Sequence, residues 1–225
     1  TNDILKKWKK EFIDEKGDIH GIVIARSYEC KLYGIKTGTS LRDALHLCPN
    51  LYIIPSDHLF YTELSEKLKS FLELKIPLIE FFSIDEVFGD LTNWIKDEDV
   101  LDFITELRDE ILEKFDLPVT VAASQSKWIA KLLTDRVKPF GVFVLSEDKV
   151  ESFTRDIPIE DFAGIGKAVY SKLSALKIKT LGELRQRPNL LYSYGKMGRD
   201  LYHRICGTDN EKINTNNDRK GIGIS

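Results

Sequence analysis

The sequence predicts an α+β fold followed by an all-helical unit, and three observations carry that prediction. Between residues 56 and 145 the apolar spacing alternates between helical and extended: a helix, two strands, a helix, a strand, a short helix and a strand. Such a succession builds helices packed on one sheet, in the order of a split βαβ unit whose first strand is missing. After Leu145 the extended segments cease and only short helices joined by tight turns remain. The composition, 42% apolar and 31% charged over 225 residues, gives ample material for a core of this kind.

In chain order, residues 1–17 alternate Lys with Asp and Glu around Leu5, Trp8, Phe12 and Ile13, the spacing of a short amphipathic helix ending near Gly17. The β-branched run 19–25 predicts a buried strand. A helix follows over 40–48, with Ser40 as N-cap and Leu41, Ala44 and Leu45 on one face; Pro49-Asn50 stops it, and 51–54 reads as another strand. Leu59, Phe60, Leu64, Leu68, Phe71 and Leu72 mark a long helix over 56–75. Two strands flank Asp85-Glu86. A second amphipathic helix spans 97–115, its acids at the N-terminal end where the helix dipole favours them. A strand over 118–123, a helix over 124–134 and a strand over 140–145 complete the unit. Segments 149–156, 166–176, 181–187 and 197–206 read as the helices of the second part, and 214–225 as a polar linker.

The chemistry centres on Phe81-Phe82-Ser83-Ile84-Asp85-Glu86-Val87-Phe88-Gly89-Asp90. Two adjacent carboxylates interrupt an apolar run, and burying carboxylates without a partner is costly. Hard oxygen ligands at one point suit Mg²⁺ held together with substrate phosphates; the alternative is a hairpin tip with two solvated acids. The turn Phe162-Ala163-Gly164-Ile165-Gly166-Lys167 lies between helices, not after a strand, which excludes a dinucleotide fingerprint. There its amides can clamp a phosphate without reading a base, or the turn is structural. Gly195-Lys196-Met197-Gly198-Arg199 repeats that chemistry less clearly. Net charge is −3, but Lys127, Lys131, Arg136 and Lys138 cluster in one segment offset only by Asp135. Three cysteines without metal-type pairing fit reduced thiols of a cytoplasmic protein, and no apolar run reaches membrane-spanning length.

Four of these stretches resemble Y-family translesion DNA polymerases. Residues 27–38, Ser-Tyr-Glu-Cys-Lys-Leu-Tyr-Gly-Ile-Lys-Thr-Gly, look like the fingers signature, and Ser83-Ile84-Asp85-Glu86 is similar to the palm catalytic motif. Ser124-Gln125-Ser126-Lys127 through Lys138-Pro139-Phe140-Gly141 resembles the late palm, and Ala163-Gly164-Ile165-Gly166 the thumb helix–hairpin–helix. Val23-Ile24-Ala25-Arg26-Ser27 looks closest to the bacterial SOS polymerase V catalytic subunit.

The resemblance implies a ferredoxin-like palm sheet with packed helices, small α/β fingers and an all-helical thumb. The expected division is an N-terminal helix or insertion over 1–20, fingers over 21–55, palm over 56–145, thumb over 146–220, and over 221–225 the start of a linker to a missing little finger. It further implies that Asp85 and Glu86 are catalytic and ligate Mg²⁺, with two ions in the complete enzyme. Tyr28, Lys31 and Lys138 would hold the incoming triphosphate, Ile24 would cover the nascent base pair, and Gly164, Ile165, Gly166, Lys167 and Lys127 would contact DNA. Expected partners are primer–template DNA and dNTP, with a sliding clamp or SOS accessory proteins reached through missing regions, and no membrane. Lys31 stands where the family more often has Arg, keeping the charge but losing the bidentate fork. The family's opening strand, with Asp-x-Asp and an aromatic steric gate, has no match here. The chain is therefore expected to be an inactive internal fragment of a polymerase, the rival being a noncatalytic polymerase-like DNA-binding or scaffold protein.

Overall fold

The structure, a computed structural model, describes residues 11–215. The helix expected over 1–17 lies mostly outside them, as does the end of the expected linker. Two compact units divide the chain, Thr1–Leu59 and Phe60–Ser225.

The first unit is small and mostly irregular. It holds α1 (Tyr28–Leu32) and α2 (Leu41–Leu47) around a core of Val23, Ile35, Leu41, Ala44 and Ile53. Ser40 caps α2 as expected, accepting a hydrogen bond from the Asp43 amide. The strand expected over 19–25 is corrected: only isolated bridges form, Ile13 with Ile19 and Ile22 with Ser40. Gly21, at φ +117°, breaks the extended run between them. Alternation survives nonetheless, for Val23 is buried while Ile22 and Ile24 on either side are exposed. Residues 51–54 pair with no strand and run as irregular chain, so that expectation is also corrected.

Helix α3 (His58–Glu73) begins at the end of the first unit and lies mostly in the second. Strands β1 (Leu78–Phe81) and β2 (Val87–Asp90) then form an antiparallel hairpin, Phe81 opposite Val87 and Leu78 opposite Asp90. Helix α4 (Val100–Phe115) follows a 3₁₀ turn at Asp97–Asp99. Strands β3 (Val121–Ala123) and β4 (Val142–Val144) are parallel, joined through α5 (Lys127–Val137) in a βαβ crossover. The single sheet expected from the sequence is two ladders of two strands each. The mixed α+β class stands.

Short helices α6 (Val150–Thr154), α7 (Lys167–Ala175), α8 (Leu181–Arg185), α9 (Asn189–Tyr192) and α10 (Gly195–Cys206) complete the chain. Two cores hold the unit. Phe71, Leu72, Ile76, Ile79, Leu107 and Ile111 fix the hairpin to α3 and α4. Trp128, Ile129, Leu132 and Leu133 of α5 share a second, larger core with Ile159, Phe162, Leu173, Leu181, Leu191 and Ile205 of the helical part. Thus α5 is packed between the hairpin and the helices that follow it, a position that shapes the candidate site. Among the described residues no helix is long and apolar enough to cross a membrane.

Candidate functional site

The β1–β2 hairpin presents two faces because side chains alternate along its strands. Ile79, Phe81, Val87 and Leu91 belong to the core against α3 and α4. The other face carries Phe82 and Phe88, which meet edge to face at 5.5 Å and both meet Trp128 of α5, at 5.9 and 6.2 Å. The loop between the strands is closed by Phe82 and Ser83 amides donating to the Glu86 carbonyl, 3.0 and 3.2 Å. Ser65 of α3 holds its far side through a 2.7 Å hydrogen bond to the Ile84 carbonyl.

Asp85 and Glu86 leave this loop with different surroundings. Asp85 is exposed and accepts a 2.6 Å hydrogen bond from the Ser83 hydroxyl. Glu86, next to Phe88, is half-buried and forms an ion pair with Lys131, whose ammonium also sits 5.5 Å from the Phe82 ring. The sequence expectation that Asp85 and Glu86 jointly hold a cation meets Lys131, whose ammonium already stands beside Glu86. The donor set still matches a hard divalent ion, which takes one or two carboxylates and keeps several waters. Such an ion would use Asp85 directly and Glu86 after Lys131 swings away. Among the described residues no group of three or more His, Cys, Asp or Glu side chains could hold a metal.

Lys127, one turn before Lys131, has a different fate. Its side chain is 8% exposed and paired with Glu80 at 3.0 Å and Glu211 at 3.2 Å. Here its ammonium is held between two carboxylates rather than presented at the surface, so a DNA contact would require it to leave one of them. Around it the segment after α10 folds back. Ser126 donates to Asp209; Glu211 accepts from Trp128 Nε1 at 2.8 Å and pairs with Arg204 at 2.8 Å; the Asn214 amide donates to Glu80 at 2.9 Å. Burial raises the Glu211 carboxyl, but hydrogen bonds from Trp128 and Lys127, with the charges of Lys127 and Arg204, hold it below the usual glutamate range. Sequence reasoning missed this strap. Glu80, Asp209 and Glu211 are ordinary acids far from Lys127 in the chain, and no spacing marks them as partners.

In the glycine turn, Gly164 adopts φ +101° and Ile165 is buried. The Ile165 amide donates to the Phe162 carbonyl at 3.1 Å, and its side chain is a core anchor. Gly166 and Lys167 are exposed at the start of α7, where no side chain caps the helix. The first amides of a helix lack intrahelical acceptors, which leaves them available to an anion. In the second glycine motif Gly195 takes φ +67°, whereas Gly198 is buried where α10 passes closely over the Leu191 backbone. That glycine is a packing residue.

Lys138 ends α5 beside a cis peptide to Pro139 and pairs with Asp135 at 2.9 Å. In the first unit, Tyr28 and Lys31 are exposed on α1, with the Lys31 ammonium 4.4 Å from the Tyr28 ring centre. Ile24 is 57% exposed.

These features accord with what the chain is similar to. The profile of the IMS, impB/mucB/samB, family matches residues 4–135. A DNA polymerase IV of Alkaliphilus oremlandii (strain OhILAs) is 33% identical over 213 residues, covering 91% of this chain and 53% of that protein. A Y-family DNA polymerase chimera superposes with a TM-score of 0.78 at 26% identity, over 87% of this chain and 58% of the other. DinB from Sulfolobus solfataricus does so with a TM-score of 0.78 at 25% identity, over 95% and 65%. The chain spans about half the length of the curated relatives it matches. Because the curated relative is a polymerase IV, the placement nearest the polymerase V subunit gains no support. A matched profile across more than half of the chain, a shared fold and motifs in order lead to one conclusion: this chain belongs to the impB/mucB/samB family of Y-family DNA polymerases.

Proposed function

We propose that the protein is a template-directed DNA polymerase of the translesion type, acting in the cytoplasm on primer–template DNA and dNTP. The observation that carries this reading is the hairpin loop holding Asp85 and Glu86 side by side, anchored at both ends by backbone hydrogen bonds and by Ser65. In this reading residues 21–55 serve as fingers, 56–145 as palm and 146–220 as thumb.

Asp85 would be the principal ligand for Mg²⁺, with Glu86 a second once freed from Lys131. When bound, the ions stabilise the attacking and leaving oxygens of phosphoryl transfer. Tyr28, Lys31 and Lys138 supply hydroxyl and ammonium donors to the triphosphate. Ile24 covers the nascent base pair. Gly166 and Lys167 offer amides to a DNA phosphate, a contact indifferent to sequence.

Primer extension by the full-length protein, with Asp85→Ala as control, tests the reading. Extension is expected from the parent and a loss of at least 10²-fold from the variant, the scale of removing a charge-stabilising group from the reacting centre. Equal extension by both would remove Asp85 from the chemistry. A noncatalytic, DNA-binding reading is favoured by one observation, the neutralisation of Glu86 by Lys131. It predicts DNA binding with no extension from any primer.

A further inference from the structure

Arg26 stands apart from the other cations of the first unit. Its Nε is buried and has no acceptor, and its terminal nitrogen reaches only the neutral Thr37 hydroxyl, at 3.3 Å. Among the described residues no carboxylate forms an ion pair with it, although acids are close in sequence. Asp14 is taken by His20 and Asp18 by Arg42, Asp43 is bonded to Ser40, and Glu29 to its own amide and Ser27. A guanidinium cannot shed its charge, so an inward-facing donor without an acceptor is a standing cost that a bound anion would remove. The surrounding segment has the matching charge: residues 25–37 carry Arg26, Lys31 and Lys36 against Glu29 alone. A planar fork of N–H donors matches the oxygens of phosphate as it does those of carboxylate, and among the described residues no carboxylate forms an ion pair with it.

We propose that Arg26 is a phosphate-binding residue, taking an oxyanion on the donor edge that the folded chain leaves without an acceptor. The proposal depends on the polymerase reading only for the source of the phosphate, which is either a nucleoside triphosphate or a nucleic-acid backbone.

The test uses the whole chain as parent, Arg26→Met, which keeps the apolar stem, and Arg26→Lys, which keeps the charge. Binding of sodium tripolyphosphate and of a single-stranded DNA oligonucleotide is measured by titration, alongside melting temperature with and without each probe. Arg26→Met is expected to weaken one of the two probes about tenfold or more, the effect of losing a charge-assisted hydrogen bond, with Arg26→Lys between it and the parent. The anion-free melting temperature of Arg26→Met should equal or exceed that of the parent, because an orphaned charge has gone. Loss confined to tripolyphosphate identifies a triphosphate site, and loss confined to the oligonucleotide identifies a backbone site. Unchanged affinity for both probes in Arg26→Met overturns the proposal. A full-length protein that keeps Arg26-dependent binding without extending primers overturns the polymerase reading instead, so the two failures are distinct.

Discussion

Lys127 and Lys131 lie one turn apart on α5, and burial separates their roles. Lys127, at 8% exposure between two carboxylates, is a fixed strut, whereas Lys131, at 21%, holds a single half-buried glutamate. A partly exposed pair of that kind contributes about 1 kcal/mol or less. Lys131→Met should therefore leave the fold intact and raise the affinity of the Asp85–Glu86 pair for Tb³⁺ or Mn²⁺ about fivefold, the equivalent of about 1 kcal/mol. Luminescence or relaxation titration checks it, and an unchanged affinity would mean that Lys131 does not compete with the ion. Ile24 belongs to this scale too. It is exposed beside buried Val23, and a β-branched side chain there is stiff and larger than alanine. If it roofs the nascent base pair, a full-length Ile24→Ala enzyme should bypass a bulky adduct better, relative to undamaged template, than its parent does. Stability should shift by no more than about 0.5 kcal/mol, as for other exposed positions; equal bypass ratios in running-start assays would refute the roof.

At the level of elements, the two glycines of the thumb turn separate structure from contact. A side chain at Gly164 would have to adopt φ +101° and sit 3.2 Å from Leu201, so substitution there disturbs the fold whatever the turn binds. Gly166 has ordinary dihedrals and open space around it. Gly166→Val should thus cost about 1 kcal/mol of stability, the scale of a poorer N-cap, yet weaken primer–template binding beyond that, and the effect should shrink as salt rises. Full affinity in the variant would make the turn structural only. Elements were legible where local pattern decides: the apolar run with an acidic break gives the hairpin, and Ser40 ahead of an apolar helical face gives the cap of α2. They were illegible where a partner strand decides. The β-branched residues 19–25 look like a strand, but Gly21 and the shortage of paired backbone leave two isolated bridges. The candidate site divides in the same way. Asp85 and Glu86 were found by motif, while the capture of Glu86 by Lys131 and of Lys127 by Glu80 and Glu211 follows from packing that no local spacing encodes.

For the molecule as a whole, the strap from Asp209 to Asn214 adds polar ties from the helical part to α5 and the hairpin beside the core they share. Its acid sensitivity has a definite sign. The Glu211 carboxyl lies below its ordinary value of 4.5, so the folded chain takes up that proton later than the unfolded chain. Its stabilising share is complete above that ordinary value and fades as pH falls below it. Protection against hydrogen exchange over residues 208–215, corrected for the intrinsic pH dependence of amide exchange, should fall on acidification well before the core opens, and Glu211→Gln should show the lowered protection already at neutral pH. A variant with parental exchange at both pH values would show that the strap is held without this carboxylate. The same feature also sets an order of events in time. The Asn214–Glu80 hydrogen bond closes a separation of 134 positions, the kind of contact that entropy delays. During synthesis Ser126, Lys127 and Trp128 emerge long before Asp209 and Glu211 exist to receive them. Until the last of those acids leaves the ribosome, Lys127 has only Glu80, and the indole of Trp128 has no acceptor from the strap. Docking of these few residues is thus a late step in the assembly of the second unit, one that must wait for contacts far apart in the chain.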